Sequence, residues 1–418
     1  MRILLIHQAF CGPNDPGGTR HYEIAKELVA QGHEVTIVTS RYNYLSGGLK
    51  AEHLYPPGFH VHFASTLIGL HRSYFMRILS FLSFALSSLF VAVGPGPQDV
   101  ILGTSPPIFQ AVTAAIVAII LRRPFVLEVR DLWPEFAISL GVLRNSLLVW
   151  LARLMETMLY TCAKSIVVNS PAFENYLQKR GVPRSKIEIV PNGADISMFH
   201  PESRGESFRR AHRLIDNFVV MYAGALGLAN GVEVLLEAAS LLRNERRIQL
   251  VLVGSGKHER QLRCEAELRK LPNVLFVPAQ PKERIPEILA AADACVATLA
   301  NAPALQVTFP NKVFDYMAAG RPTVLAVEGP IREVIEKSGG GVCIAPGDSK
   351  ALAQAILALR DSSSLRAEMG AKARKHVEEN FNRTQQAQRF LEVLKGALPM
   401  HPITRSGAKT TVVGEHGT

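Results

Sequence analysis

The 418-residue sequence lacks the residue patterns by which several classes of enzyme are recognised. Its five cysteines are far apart, with no C-x-x-C pair and no histidine at metal-ligand spacing, which argues against disulfides and a zinc site. There is also no G-x-S-x-G, no Walker loop, no H-E-x-x-H and no D-x-D. We therefore expect no metal and no cofactor, and cysteines that serve as small core residues in a reducing compartment.

Compact runs of charge are missing as well. Lysine and arginine number 46 against 36 acidic residues, for a formal charge of +10, but no basic run is interleaved with aromatics, so nucleic acid is not an expected partner. A solubilising surface, an anionic membrane and a phosphate-bearing ligand remain open explanations. The apolar run at residues 3–6 is too short for a signal peptide, and we expect a cytoplasmic protein.

Two series of alternating strands and helices are present. The pattern over residues 3–38 predicts a strand, a glycine loop, a helix and a second strand, and similar alternation continues to residue 168. A polar segment near residue 200 precedes a second series. We predict an α/β fold with two doubly wound, Rossmann-like domains facing across a cleft. Their predicted bounds are 1–200 and 201–380, followed by a helix over 381–398 that returns to the first domain and a loose tail over 399–418.

One long apolar run stands out, at residues 76–93. It is about the minimum length for a bilayer span, but its serines give it an amphipathic pattern. The serines that share one helical face are Ser80, Ser83 and Ser87. Cationic and aromatic anchors for a membrane surface precede the run or begin it, namely Arg72, Tyr74 and Arg77. A helix lying in the membrane surface, a buried or ligand-lining helix and a true span all remain open.

Glycine loops begin both series. Gly17 and Gly18 stand before Thr19 and Arg20 at a predicted helix start, where free amides attract phosphate or another anion. The segment from Gly224 to Gly227 repeats this arrangement in the second series. Each loop taken alone is equally consistent with a structural turn, and it is their matching positions that favour a shared ligand.

Charged residues gather where a buried strand ends, over residues 128–135. Such positions in a parallel sheet usually border the ligand crevice, whereas a structural ion pair needs only two charges. Asp131 or Glu135 is a candidate contact for sugar hydroxyls, and Arg130 is a candidate for phosphate.

The segment over residues 309–322 begins a helix with a cation. Lys312 in the first turn opposes the helix dipole, which a bound diphosphate would explain. Asp315, one turn further, suits the capture of a ribose diol. The alternative is a solvated surface pair.

Taken together, these segments resemble family 4 of the retaining GT-B glycosyltransferases over nearly the whole chain. The segments that carry the resemblance are Pro16 to Gly18 with Gly32 to Val35, Val168 to Ser170, Ile187 to Asp195 with Phe199, Tyr222 to Gly224 through Gly231 and Leu235, Val253 to Gly256, and Lys312 to Pro322. The stretch from Arg130 to Glu135 resembles the corresponding sequence in one branch of this family. Members of that branch build bacterial O-antigen, capsule and colanic-acid polysaccharides, and they include N-acetylfucosamine transferases.

The resemblance implies transfer of a sugar, with retention, from a nucleotide-sugar donor such as a UDP-sugar to a lipid-linked saccharide at the cytoplasmic membrane surface. It implies that a leaving diphosphate is stabilised by the protein and itself helps to deprotonate the acceptor. The residues expected to bind the donor are Gly17, Gly18, Gly224, Gly227, Gly254, Pro278, Ala279, Lys312 and Asp315. Those expected to bind the acceptor are Thr19, Arg20 and Glu135. The catalytic candidates are Arg130, Asp131 and Lys312.

Two departures from the family pattern weaken this assignment. Val307 stands where many members carry the first glutamate of an E-x7-E motif, and Asn230 stands where a lysine is expected. We expect Lys312, with Arg20 or Arg130, to replace the missing cations. Two rival functions are a nucleotide-sugar epimerase of the same architecture and a non-catalytic nucleotide-sugar-binding partner.

Overall fold

Each half of the chain builds one parallel sheet with helices on both faces. The computed structural model describes residues 1–43, 47–67 and 74–399. The first sheet has the order β3-β2-β1-β4-β5-β6-β7. Its strands are β1 (Arg2–Ile6), β2 (Glu34–Ser40), β3 (Phe59–Ala64), β4 (Val100–Ser105), β5 (Phe125–Val129), β6 (Ser165–Val168) and β7 (Ile187–Ile189). Its helices are α1 (Arg20–Ala30), α2 (Tyr74–Val93), α3 (Ile108–Leu121), α4 (Glu135–Ser139), α5 (Ser146–Cys162) and α6 (Pro171–Lys179).

The second sheet repeats this plan with the order β10-β9-β8-β11-β12-β13. Its strands are β8 (Phe218–Ala223), β9 (Ile248–Val253), β10 (Val274–Val277), β11 (Ala294–Thr298), β12 (Thr323–Ala326) and β13 (Gly341–Cys343). The helices are α7 (Glu206–Ala211), α8 (Glu233–Leu241), α9 (Glu259–Leu268), α10 (Ile285–Ala290), α11 (Asn311–Ala318), α12 (Pro330–Ser338), α13 (Ser349–Asp361), α14 (Ser363–Asn380) and α15 (Arg383–Ala397).

The strand order places the ligand edge of each domain. In both sheets the first strands are added to one side of the opening strand and the later strands to its other side. The order therefore reverses between β1 and β4 in the first sheet and between β8 and β11 in the second. Ligands of open parallel sheets bind outside the carboxyl ends of strands at this switch point. The predicted fold class, two Rossmann-like domains, is confirmed.

The inner strands explain why the sequence pattern was readable. Residues 3–6 of β1 are all buried, because helices cover both faces of the sheet. Strands buried on both faces appear in sequence as continuous apolar runs, not as alternating ones. The short apolar runs therefore mark the strands, and the loops that follow them mark the ligand edge.

The chain crosses between the domains twice. Ala194 and Phe199 already pack in the core of the C-terminal domain, so the first crossing comes slightly before the predicted boundary at 200. The second crossing leads into α15, whose Phe390, Leu391 and Leu394 pack with β1 and α1 in the N-terminal domain. The predicted tail from residue 400 onward lies outside the described residues, as does Arg72.

Candidate active site between the two domains

The first loop of the C-terminal domain follows β8 and begins at Gly224. Its carbonyl oxygen lies so near Gly254 that a Cβ at Gly254 would stand 1.9 Å from it, and Gly254 has a φ of +155°. The Gly224 amide donates a hydrogen bond to the Val253 carbonyl at 2.9 Å. A side chain is therefore excluded at Gly254, and two of the predicted donor-binding loops are in contact.

The other predicted donor-binding residues of this domain lie on the same edge. Gly227 precedes a single 3₁₀ turn over Leu228–Asn230. Pro278 and Ala279 directly follow β10, and the Gly254 amide donates to the Val277 carbonyl at 3.0 Å. Because the carboxyl ends of parallel strands share one edge, these residues line one end of the second sheet.

Lys312 in the first turn of α11 reaches the glycine loop. Its Nζ donates to the Tyr222 hydroxyl at 2.9 Å and to Asn230 Oδ1 at 3.0 Å, and it lies 4.3 Å from the centre of the Tyr222 ring. A Cβ at Gly224 would stand 3.0 Å from this ammonium group. Among the described residues no carboxylate forms an ion pair with it. Burial lowers the pKa of Lys312 to about 7.

Asp315, predicted to bind ribose, has a lysine partner within the protein. Lys282 Nζ lies 2.7 Å from both carboxylate oxygens of Asp315, and both side chains are nearly buried. Burial raises the pKa of Asp315, and the Lys282 ammonium opposes that shift. Lys282 also lies 5.5 Å from the centre of the Phe199 ring. The carboxylate is thus held rigidly at the base of the donor edge, with its charge neutralised.

In the N-terminal domain the glycine loop leads into α1. Gly17 has a φ of +142°, and a Cβ at Gly18 would meet nothing within 4 Å, so the loop is open on that side. Thr19 precedes α1 and is buried, and its hydroxyl donates to Glu23 Oε1 at 2.5 Å. The structure thus gives Thr19 a protein partner one turn along its own helix.

Arg20 is buried in a network of protein acceptors. Its Nε lies 2.9 Å from Glu128 Oε1, and its other nitrogens donate to the carbonyls of Val190 and Pro191 at 2.8 Å. His21 Nε2 approaches the second oxygen of Glu128 at 2.5 Å. Burial disfavours the charged Glu128, but His21 and Arg20 together hold its pKa well below the usual range.

These contacts favour a structural role for Arg20 over the predicted contact with the acceptor. Arg20 is only 5% exposed, and each nitrogen of its guanidinium group already has a protein acceptor. A ligand could reach it only by displacing those acceptors. Arg130 is therefore the better candidate for the replacement cation on this side of the cleft.

Arg130 and Asp131 follow β5 at the carboxyl edge of the first sheet. Arg130 Nε donates to Thr104 Oγ1 at 3.0 Å, and its terminal nitrogen lies 3.2 Å from His7 Nε2. Among the described residues no side chain donates a hydrogen bond to the Asp131 carboxylate. Burial raises the pKa of Asp131 to about 6, against the opposing charge of Arg130. Asp131 is thus a carboxylate near neutral pKa with spare acceptor capacity.

Glu135 occupies a different environment. It begins α4 and pairs with Arg153 of α5 at 2.8 Å, with each side chain 32% exposed. This is a half-exposed pair between two neighbouring helices. Each of the three residues predicted to bind the acceptor, Thr19, Arg20 and Glu135, therefore has a partner within the protein.

The domains touch along one side of the cleft. Ser170 Oγ donates to the Val307 carbonyl at 2.5 Å, and Asn192 Nδ2 donates to the Phe309 carbonyl at 2.6 Å. Arg383 at the start of α15 pairs with Glu23 of α1 at 2.6 Å and donates a hydrogen bond to Asn311 Oδ1 of α11 at 3.2 Å. These contacts bring the segment before α11 against the first domain, so the two carboxyl edges share one crevice.

The two halves of the chain match two families of one enzyme class. Residues 17–193 match the family described as "Glycosyl transferase 4-like domain", and residues 205–376 match "Glycosyl transferases group 1". The boundary between the two matches falls where the chain first crosses between the domains. The chain is a GT-B glycosyltransferase.

Similar proteins agree with this assignment. The glycosyltransferase is 25% identical over 394 residues to WcaI of Escherichia coli K12, named for colanic acid biosynthesis, covering 90% of this chain and 95% of WcaI. The structure of Anabaena HepE in complex with UDP and glucose superposes with a TM-score of 0.72 at 20% identity, covering 94% of this chain and 99% of HepE. WaaG, a glycosyltransferase of lipopolysaccharide biosynthesis, superposes with a TM-score of 0.69 at 18% identity, covering 94% and 100%. At these identities the structural likenesses establish the fold.

The structure accounts for both departures from the family pattern. Val307 packs against the core of the N-terminal domain while its carbonyl accepts the Ser170 hydrogen bond, so this glycosyltransferase uses the position for an apolar domain contact. Asn230 supplies a neutral acceptor to Lys312, where a second lysine would repel it. An apolar domain contact thus takes the place of the first glutamate, and Lys312, held by Asn230, is the cation that remains at the glycine loop.

Several residues of the crevice escaped the sequence reasoning. Lys282 gave no local signal, since its partner Asp315 is 33 residues away. His21 and Glu128 carry a stronger signal, because each adjoins or begins a segment already noted for its charges. His7, directly after β1, is buried and contacts Arg130.

The described residues contain no group of three or more His, Cys, Asp or Glu side chains placed to hold a metal ion. Transfer without a metal or cofactor therefore stays a prediction.

Proposed function

We propose that this glycosyltransferase transfers a sugar, with retention, from a UDP-sugar to a polyprenyl-diphosphate-linked saccharide. The proposal places the enzyme in the cytoplasm, on the inner membrane surface, in the synthesis of a bacterial surface polysaccharide. The name of WcaI supports the polysaccharide class, and the UDP bound to HepE supports the donor class. The candidate sugars include N-acetylated deoxyhexosamines.

The observation that carries the proposal is the position of Lys312. A half-buried cation without an acidic partner faces a glycine loop at the carboxyl edge of the second sheet. A diphosphate bound at this loop would supply the missing countercharge and gain the main-chain amides of the loop as donors. The positive charge of Lys312, which only neutral oxygens contact within the protein, would then stabilise the leaving diphosphate.

In the proposed reaction the bond between the sugar C1 and the diphosphate oxygen breaks, and an acceptor hydroxyl oxygen bonds to C1 on the same face. The acceptor proton passes to the departing diphosphate. Lys312 balances the charge of that diphosphate, with Arg130 as the second cation from the other side of the cleft, and Asp131 accepts a hydrogen bond from a sugar hydroxyl. Neither a protein nucleophile nor a metal is required.

The test is a transfer assay on purified protein with a panel of UDP-sugars and polyprenyl-diphosphate saccharides, following UDP release and lipid mass. Lys312→Ala should lower turnover at least about tenfold, because it removes the cation that meets the leaving group. Lys350→Ala is the matched control, since Lys350 is exposed on α13 of the same domain. Equal turnover in the two variants would remove Lys312 from the mechanism.

The same assay separates the rival functions. An epimerase would convert the free UDP-sugar without any lipid acceptor, and a non-catalytic partner would bind donor without releasing UDP. Either result would overturn the proposed transfer.

A further inference from the structure

Helix α2 carries its polar and apolar faces the wrong way round for a helix in water. Its large apolar side chains point outward at helical spacing. They are Phe75 (68% exposed), Ile78 (44%), Leu82 (44%), Leu86 (65%), Phe90 (72%) and Val93 (39%). Its serines face the protein: Ser80 is fully buried and Ser87 Oγ donates to the Ser65 carbonyl at 2.5 Å. A water-exposed helix has the opposite arrangement.

The same serine contacts exclude a transmembrane arrangement of α2. It is the one helix among the described residues long and apolar enough to cross a bilayer. However, Ser83 Oγ accepts from the Leu67 amide at 3.0 Å, and Phe84 is fully buried in the core of the domain. Moving α2 into a span would break these hydrogen bonds and open that core. Only its outer side is available to lipid.

Two neighbouring helices widen this apolar surface. Helix α3 packs against both α2 and α5 on the same side of the sheet. Its exposed apolar residues are Ile116, Ile119 and Ile120, and those of α5 and the loop before it are Val142, Leu147, Leu148, Trp150, Leu151, Leu154 and Met158. We call the exposed apolar residues of α2, α3 and α5, with Val142, the outer face. Contiguous apolar surface of this extent marks an interaction site.

The charges around the outer face select its partner. Helices α2 and α3 contain no acidic residue, and the one acid of α5, Glu156, is 1% exposed and bonded by Tyr160 and Tyr176. At the ends of α3 and α5 a pocket of about 500 Å³ is lined by Ile119 and by the cations Arg122, Arg123, Lys164 and Lys186. Glu135 of the neighbouring α4, 32% exposed, is paired with Arg153 of α5. An apolar surface with a cationic edge, whose own helices expose no acid, is complementary to anionic phospholipid.

The outer face also connects to the catalytic loop. The rings of Phe81 in α2 and Phe109 in α3 have centroids 6.4 Å apart, and Phe109 lies 6.4 Å from Trp133. Trp133 stands two residues after Asp131. A continuous row of aromatic side chains thus joins the outer face to the loop that holds the proposed acceptor contacts.

We propose that the outer face docks on an anionic lipid bilayer, with the helices lying in its surface and the basic pocket taking lipid headgroup phosphates. The docked face brings the Arg130–Trp133 loop to the height at which the diphosphate of a lipid-linked acceptor emerges. This last step rests on the proposed function, whereas the docking itself does not. Three helices, and not α2 alone, form the attachment.

The test is vesicle flotation of the full chain with liposomes of phosphatidylglycerol and phosphatidylcholine, compared with liposomes of phosphatidylcholine alone. The wild-type chain should float with the anionic vesicles. The double variant Leu86→Glu/Phe90→Glu should reduce the bound fraction at least about tenfold, because it places two acids on the buried side of the interface. Leu268→Glu is the matched control, since Leu268 of α9 is 84% exposed in the other domain.

A second readout tests α5 separately. Trp150 is 60% exposed, so tryptophan fluorescence should shift to shorter wavelength with anionic vesicles, and most of that shift should be lost in Trp150→Phe, which retains Trp133. A wild-type chain that stays with the unbound protein, or a double variant that floats equally well, would overturn the proposal. So would a dimer in solution that the double variant dissociates without any vesicle binding, since the face would then join two copies.

The two proposals fail in distinguishable ways. Binding of UDP in the absence of lipid reports on the C-terminal domain, where neither substituted residue lies. Loss of flotation with normal UDP binding is the expected behaviour of the double variant. A wild-type chain that floats but neither binds UDP nor transfers sugar would remove the proposed function and leave the docking face intact.

Discussion

The two domains share one topology but differ in what they leave without a partner. In the N-terminal domain the buried Arg20 and Glu128 neutralise each other inside the protein, while the outer helices expose large apolar side chains. In the C-terminal domain the outer helices carry ion pairs between residues four apart, such as Lys372 with Glu368. In that domain Lys312, the cation that contacts the first glycine loop, has neutral partners only.

The difference supports a different ligand for each domain. A protein that folds alone pairs its own buried charges and covers its own apolar surface. Where a buried charge has no countercharge, or an apolar surface is left exposed, an external partner can supply the countercharge or the cover. Under the two proposals, a bilayer would cover the exposed apolar side chains of the N-terminal domain, and a diphosphate would supply the anion that Lys312 of the C-terminal domain lacks.

The largest expected effect comes from breaking the buried ion pair between Arg20 and Glu128 in the N-terminal domain. Glu128→Gln should lower the free energy of unfolding by about 3–5 kcal/mol, because Arg20 would remain buried without a countercharge. Urea denaturation measures the change. The matched control is Glu206→Gln, which disrupts an exposed pair with Arg210, 65% and 72% exposed, and should cost about 1 kcal/mol or less.

The pH dependence of stability provides a second check on Glu128. Its pKa is held well below the ordinary value, so the stabilisation is present at neutral pH and is lost as the pH falls through the acidic range. Glu128→Gln should remove this part of the acid dependence. A variant as stable as wild type, with the same acid profile, would show that the buried pair contributes nothing.

The next effect concerns Lys312 of the C-terminal domain and the pH dependence of UDP binding. Since burial lowers the pKa of Lys312 to about 7, the free enzyme loses this charge as the pH rises above that value, and binding a diphosphate must take up a proton. Affinity for UDP, measured by calorimetry, should fall by roughly tenfold per pH unit between about 7.5 and 9.

Lys312→Arg is the control for that measurement, because a guanidinium group stays protonated across this range. Its affinity for UDP should be nearly independent of pH between 7 and 9. The same slope in both proteins would assign the pH dependence to another group.

Residues of the site that lie in a short local motif could be predicted from the sequence. The position of Lys312 one residue into a helix, and of Gly224 directly after a strand, follow from short motifs, and the structure brings their atoms together. Both Rossmann-like domains were predictable for the same reason, since each strand and each loop is marked by a few adjacent residues.

The partners of a residue could not be predicted where they come from distant parts of the chain. Arg20 resembles a ligand-binding arginine after a glycine loop, but the carbonyls that hold it belong to Val190 and Pro191, some 170 residues later. Asp315 resembles a free carboxylate until Lys282 is placed beside it. The serine stripe of α2 was visible, yet no local pattern says which face of a helix meets the protein.

The smallest effect tests how Lys312 is held. Asn230→Ala removes one of its two neutral hydrogen-bond acceptors and leaves the Tyr222 hydroxyl, so the cation keeps its charge but loses part of its fixed position. One such hydrogen bond contributes about 1 kcal/mol, which predicts a fall of roughly fivefold in affinity for UDP at pH 7. The pH at which binding weakens should stay near 7, because burial, not Asn230, sets the pKa of Lys312. A shift of that pH in Asn230→Ala would mean that the side-chain amide controls the charge of the lysine, and the C-terminal domain would then resemble the N-terminal one in satisfying its cation internally.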